Sequence, residues 1–94
     1  MPDAFSMLVP LAVPYRALAP DLASRYTELA GGSAEAAAAL ASAVDAAIDR
    51  VSAGAAPHAT VGLAFTPETS GIRVELSCDG RREAVDVTIP VPNR

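Results

Sequence analysis

The sequence predicts an α+β fold: a two-layer sandwich in the order β-α-α-β-β-β, with two helices packed on one face of a mainly antiparallel sheet. Two observations carry this prediction. Apolar residues recur at helical spacing through the middle of the chain, and they alternate with polar residues in the segments on either side. A helix or sheet with one apolar face needs a second layer to cover it, so the two kinds of segment are expected to pack together.

Size and composition set the scale of this fold. The 94 residues are expected to form a single domain, 1–94, with one modest core. Hydrophobic residues make up 51% of the chain and aromatic residues only 4%, so aliphatic packing should dominate the core. No apolar run approaches the roughly 20 residues that span a bilayer, and the apolar N-terminal stretch lacks a basic start. We therefore expect a soluble cytoplasmic protein with no membrane partner.

The first element is predicted to be a short strand from Phe5 to Leu11, in which every second residue is apolar. Pro10 has no N–H to donate to a ladder, so this strand is expected to lie at a sheet edge or to end there. A helix should follow from about Leu18 to Ala30, and Gly31-Gly32 should stop it. Its apolar residues at helical spacing are Leu18, Leu22, Tyr26 and Leu29.

The chain is organised around a second, alanine-rich helix from Ser33 to Gly54. Ser33 can cap its start, Glu35 suits the positive end of the helix dipole, and Gly54 can supply the left-handed residue that ends the helix. The buried face is predicted to consist of Leu40, Val44, Ile48 and Val51. The two glycines between the helices predict a helical hairpin.

Three antiparallel strands are predicted after Gly54, because the apolar period changes to two. Their inward residues are Val61, Leu63 and Phe65, then Ile72, Val74, Leu76 and Cys78, then Val85, Val87, Ile89 and Val91. The register of the last hairpin has two solutions. One pairs Ile72 with Ile89, and the other, centred on an Asp79-Gly80 turn, sets Arg73 opposite Asp86.

Charge and cysteine content exclude several kinds of function. The net charge is −4 and the only basic doublet is Arg81-Arg82, so nucleic acid is not an expected partner. A single cysteine, Cys78, excludes an internal disulfide and any cysteine-based metal site. The single histidine, His58, is expected to lie in a solvated loop, because no nucleophile or base is spaced to converge on it.

The order of motifs resembles the anti-sigma-factor serine kinases of the GHKL, or Bergerat-fold, histidine-kinase-like ATPase superfamily. The resemblance is carried by Phe5 to Leu11, by Pro14-Tyr15-Arg16-Ala17-Leu18, by Ala43-Val44-Asp45-Ala46-Ala47-Ile48 and by Leu76-Ser77-Cys78-Asp79-Gly80-Arg81-Arg82. It covers nearly the whole chain in order and spacing. It implies a nucleotide site between the central helix and the turn near Gly80.

The residues that perform this family's chemistry are replaced here. The resemblance puts Ala46 at the position of the catalytic glutamate and Arg50 at that of the magnesium-binding asparagine. Alanine cannot act as a base, and arginine offers no acceptor to a hard cation. A one-residue shift of the alignment would instead offer Asp45 and Asp49 as an acidic pair for Mg²⁺, but it takes Ile48 out of its apolar register.

The second motif of the family is also altered. The resemblance places Cys78 where the family has its adenine-binding aspartate and Arg82 where it has a second glycine, so that only Gly80 matches. The family's phosphate-covering lid is absent, since a few residues join the strands. No cofactor and no metal are therefore expected.

Three functional hypotheses follow. The leading one is a degenerate, non-catalytic regulatory module that binds a protein partner such as a sigma factor or its antagonist. The second is a divergent serine kinase that binds ATP with Mg²⁺ through Asp45 and Asp49. The third is a small homo-oligomeric α+β domain, such as a homodimer, that associates through exposed strand edges.

Overall fold

A computed structural model describes residues 4–12, 15–56 and 58–88, and it confirms the predicted α+β sandwich. The sheet has four antiparallel strands in the spatial order β1-β2-β3-β4, and both helices cover one of its faces. The elements are β1 (Phe5–Pro10), a 3-10 turn (Tyr15–Ala17), α1 (Leu18–Leu29), α2 (Ala34–Val51), β2 (Thr60–Glu68), β3 (Gly71–Cys78) and β4 (Arg81–Thr88).

The central helix α2 forms as its sequence predicts. Ser33 caps it in an extended conformation, and its side-chain oxygen accepts a hydrogen bond of 3.1 Å from the Ala36 N–H. The C-terminal end of α2 differs from the prediction: the helix ends at Val51 with Ser52 as its C-cap, and Gly54, with φ at 80°, lies in the turn that follows instead of ending the helix. The four residues of the predicted apolar face, Leu40, Val44, Ile48 and Val51, are all buried.

The apolar face of α1 differs in part from the predicted one: Tyr26 is buried as predicted, but the three leucines are not. Its buried residues are Ala19, Ala23, Tyr26 and Thr27. Leu18 and Leu29 are 54% and 75% exposed, and Leu22 is only half-buried. Compared with the predicted orientation, α1 is rotated about its own axis by about one residue. Its small alanines pack against α2 and the core, and the leucines therefore face solvent.

An aromatic cluster joins α1 to the sheet. The Tyr26 ring lies 5.1 Å from the ring of Phe5 and 5.2 Å from the ring of Phe65, and the two phenylalanines stack at 4.8 Å. Such contacts add stabilisation of about 0.5–1.5 kcal/mol per pair beyond the buried area. Tyr15, the other tyrosine of the chain, takes no part in this cluster and is 53% exposed.

The last hairpin settles the strand register. Asp79 and Gly80 both have positive φ, at 49° and 82°, which suits a tight two-residue turn. The ladder sets Arg73 opposite Asp86 and Ile72 opposite Val87. Of the two predicted registers, the one centred on Asp79-Gly80 is therefore correct.

The edges of the sheet also follow the prediction. β1 is an edge strand that pairs with β2 and ends at Pro10, and an edge strand tolerates a proline because the missing N–H can face away from the ladder. Residues 89–94, which include the predicted inward residues Ile89 and Val91, lie outside the described part of the chain, as does Pro14. In the described ranges, no helix combines the length and the apolar character needed to cross a membrane.

Candidate functional site

The positions that the family resemblance assigns to catalysis lie on the outer side of α2. Ala46 is exposed. Arg50 is directed at β4, where its Nε lies 3.2 Å from Oε1 of Glu83, and this pair joins the helix to the strand. A methyl group and a paired guanidinium offer neither a base nor a metal ligand at this place.

The alternative magnesium pair, Asp45 and Asp49, is held by a cation of the protein itself. Nη2 of Arg16, in the 3-10 turn, donates a hydrogen bond to Oδ1 of Asp49 and lies 3.6 Å from Oδ1 of Asp45. It also donates to the Asp45 backbone carbonyl oxygen at 3.4 Å. The hydrogen bond to Asp49 raises the pKa of Arg16, so the guanidinium stays charged.

Arg16 therefore supplies the positive charge that a bound cation would have supplied to the two aspartates. Within the described ranges, no group of three or more histidine, cysteine, aspartate or glutamate residues is arranged to hold a metal ion. The sequence contains Arg16 inside the family-like run but does not indicate its role. Its contacts cross 29 and 33 residues of chain, which periodicity cannot predict.

The second family motif is divided between the two faces of the sheet. Cys78 faces the helices and is buried, and this burial, with a smaller effect of the neighbouring Asp79 charge, raises the pKa of its thiol. Arg82 lies opposite Ser77 in the ladder, on the face away from the helices, and is exposed. Gly80 serves the turn between them. The three residues do not converge on one ligand position.

His58 lies apart from these residues. It is exposed, in the turn that leads into β2. This placement agrees with a solvated loop residue.

The face of the sheet opposite the helices carries a shallow hollow of about 830 Å³. Its floor consists of small side chains, including Gly62, Ala64 and Ser77, and Leu8 stands at one side with 76% of its surface exposed. Arg73, at the rim, is paired with Glu75 at 3.4 Å between Nε and Oε2. The lining includes the hydroxyl groups of Ser6 and Ser77 and the carboxylate of Glu75, but no hydrogen bond among the described residues joins a serine hydroxyl to a carboxylate there.

On α1, large apolar side chains are exposed to solvent. Leu18, Leu22 and Leu29 lie at i, i+4 and i+11, on one face of the helix, and this face points away from the core. We call these three residues the α1 outer stripe. Arg25 interrupts the stripe and is held by Asp21, with 3.2 Å between Nε and Oδ2.

The helical spacing in the sequence puts these leucines on the predicted apolar face of α1. A signal for the alternative existed: Ala19 and Ala23, each one residue after a leucine, form a second set at helical spacing together with Tyr26, which belongs to both sets. Choosing between the two sets requires knowing that Phe5 and Phe65 come together beneath the helix.

Comparison of the chain with protein-family models, with curated proteins and with solved structures gives no match in any of the three.

Proposed function

We propose that this chain is a non-catalytic regulatory module that binds a protein partner through the α1 outer stripe. The observation that carries the proposal is the exposure of Leu18 and Leu29, at 54% and 75%, on one face of an amphipathic helix. Single exposed leucines are ordinary, but leucines aligned along one helix form an apolar surface, here interrupted by Arg25. Such a surface is typical of a binding site for another helix.

The occupant that fits this surface is an amphipathic helix of the partner. Such helices bind by placing apolar residues spaced by three or four positions against a matching apolar face. Beside the stripe, Glu28 is exposed and makes no ion pair with any described residue. The partner helix should therefore carry aliphatic residues flanked by at least one lysine or arginine, which would face Glu28.

The family resemblance supports the identity of the partner class. The chain is similar in order and spacing to anti-sigma-factor kinases, so the partner we propose is a sigma factor or a sigma-factor antagonist in the cytoplasm. The helices and strands that carry the resemblance occur in the expected order.

The non-catalytic part of the proposal is supported by the two ion-pair clusters around α2. Arg50 is engaged by Glu83, and Asp45 and Asp49 are engaged by Arg16. Phosphoryl transfer depends on a bound metal and on cradled phosphates. The side chains at these positions are instead used to tie α2 to its neighbours.

Calorimetric titration with purified sigma factors and their antagonists from the same genome tests the binding proposal. The wild-type chain should bind one of them, and Leu18→Asp with Leu29→Asp should weaken binding by at least about tenfold, since central apolar contacts dominate such interfaces. Leu8→Asp is the matched control, because Leu8 is comparably exposed but lies on the sheet. Absence of binding to the whole panel, or equal losses in both variants, would contradict the proposal.

Equilibrium dialysis with labelled ATP and Mg²⁺ tests the absence of nucleotide chemistry. We expect no retention of ATP at millimolar nucleotide. Saturable retention that Asp45→Asn or Asp49→Asn abolishes would favour the divergent kinase instead.

A further inference from the structure

The two edges of the sheet differ in how they are protected against pairing. β1 ends at Pro10, which interrupts its outer ladder. β4 has eight residues, contains no proline, and runs in an unbroken one-to-one register against β3 from Cys78↔Arg81 to Gly71↔Thr88. No described strand pairs with the outer side of β4. A long, regular and unblocked edge is a template for another strand.

The hairpin determines which backbone groups of β4 point outwards. The residues that flank a two-residue turn, Cys78 and Arg81, form a hydrogen-bonded pair, and such pairs alternate along an antiparallel ladder. Arg82, Ala84 and Asp86 occupy the other positions. Their N–H and C=O groups are therefore directed away from β3, towards the edge.

The side chains of the same three residues favour one particular occupant, a second copy of this chain. An antiparallel β4–β4 pair centred on Ala84 sets Arg82 of each copy opposite Asp86 of the other. Both side chains are exposed on the helix-free face, and neither makes an ion pair within the described residues. Asp86 faces Arg73 within its own sheet, but the Arg73 guanidinium is engaged by Glu75.

Charge also selects the register of this pair. If the pair were centred on Arg82, the Arg82 side chains of the two copies would lie directly opposite each other. If it were centred on Asp86, the two Asp86 side chains would do so. Like charges directly opposite each other across a ladder are destabilising. The pairing centred on Ala84 is the one that creates two opposite-charge pairs. It is isologous, as a closed twofold dimer requires.

Small side chains lie on the side of α2 that is nearest to this edge. Arg50 contacts Glu83 of β4, so it lies on the side of α2 that faces this strand. The residues one and two turns earlier on that side are Ala46 and Ala43, whose side chains are single methyl groups. Val85 and Val87 on β4 are only half-buried beneath this side and would gain cover from the partner.

We propose that two copies of this chain pair through the outer edges of their β4 strands, antiparallel and centred on Ala84, to form a continuous eight-stranded sheet. The α1 outer stripes lie on the helix beside α2, away from this edge, so both remain available to a partner in the dimer.

Sedimentation velocity across a dilution series tests the dimer. The wild-type chain should pass from monomer to dimer as its concentration rises. Ala84→Pro should remain monomeric at every concentration, because it removes the outward N–H at the centre while leaving the bonds to β3 intact. Its circular dichroism spectrum should match that of the wild type. A wild-type chain that stays monomeric, or a folded Ala84→Pro that still dimerises, overturns the proposal.

Charge variants test the register without any change to the backbone. Arg82→Asp should raise the dimer dissociation constant by about tenfold or more, because the new aspartate of each copy would then lie opposite Asp86 of the other. Arg82→Asp combined with Asp86→Arg should restore dimerisation, and Arg25→Asp, on α1, should leave it unchanged. Failure of the double variant to restore the dimer overturns the assigned register.

The same variants separate this proposal from the proposed function. Leu18→Asp with Leu29→Asp should dimerise normally while losing the partner. Ala84→Pro should bind the partner as a monomer.

Discussion

The two helices use their leucines in opposite ways. Leu40 of α2 is fully buried, whereas Leu18 and Leu29 of α1 are largely exposed. Both helices show apolar residues at helical spacing, and nothing in the spacing itself distinguishes them. A helical pattern in the sequence therefore predicts that a helix has an apolar face. Whether that face is buried in the core or exposed as a binding surface depends on the elements that pack against the helix.

The packing of α1 explains why its leucines are displaced. Ala19 and Ala23 are fully buried, and small residues at a helix contact let the helix lie close to its neighbours. Tyr26 then fills the space above Phe5 and Phe65. α2 has no such aromatic contact among the described residues, so its larger aliphatic residues fill the core directly.

The largest expected effect contrasts one leucine from each helix. Leu40→Ala should lower the free energy of unfolding by about 2–5 kcal/mol, because it leaves a cavity in a fully packed site. Leu29→Ala should change it by no more than about 0.5 kcal/mol, since the side chain is already in water. Urea unfolding monitored by circular dichroism measures both. Similar losses in the two variants would mean that α1 buries its leucines after all.

The next effect tests whether the alanine side of α1 is a close contact. Ala23→Leu should destabilise the fold by about 1–3 kcal/mol, because the added atoms cannot enter a packed core without displacing neighbours. Ala39→Leu, at an exposed position of α2, is the matched control and should be nearly neutral. Tolerance of Ala23→Leu in thermal unfolding would show that the two helices are loosely packed.

A smaller effect contrasts the starts of the helices. Ser33→Ala should cost about 1 kcal/mol, because it removes the hydrogen bond to the Ala36 N–H. Ala17, at the start of α1, has helical φ and ψ and forms no side-chain cap. Ala17→Ser should therefore gain no more than about 0.5 kcal/mol, since capping needs an extended residue. A large gain from Ala17→Ser in thermal unfolding would contradict this geometry.

The smallest effect concerns the ion pair between α2 and β4. A double-mutant cycle with Arg50→Ala and Glu83→Ala should give a coupling energy below about 1 kcal/mol that falls as salt is added. Both side chains are partly in water, at 52% and 35% exposed, so solvent screens the attraction. A coupling that is several times larger and insensitive to salt would show that the pair is shielded from solvent.

Much of the fold was predictable because it depends on local patterns. Ser33 marks the start of α2, and Asp79-Gly80 fixes the hairpin and therefore which of the two registers is adopted. The outward face of α1 was not predictable, because two sets of residues that share Tyr26 fit the same helix. Its choice depends on Phe5 and Phe65, which meet only in the folded chain.

The candidate site was predictable only in part. The sequence alone shows that Ala46 and Arg50 stand where the resemblance would expect a catalytic glutamate and a magnesium-binding asparagine. The engagement of Asp45 and Asp49 by Arg16 is not, since long-range ion pairs leave no periodic signal.

Amide chemical-shift mapping of the two helices tests the central claim most directly. The ¹⁵N-labelled chain would be titrated first with Mg²⁺ and ATP and then with the sigma-factor panel. The account predicts no saturable shift with nucleotide, and shifts centred on α1 around Leu18, Leu22 and Leu29 with one member of the panel. Saturable nucleotide shifts along Ala46 to Arg50 and at the Asp79-Gly80 turn, with α1 unaffected by every protein, would contradict it.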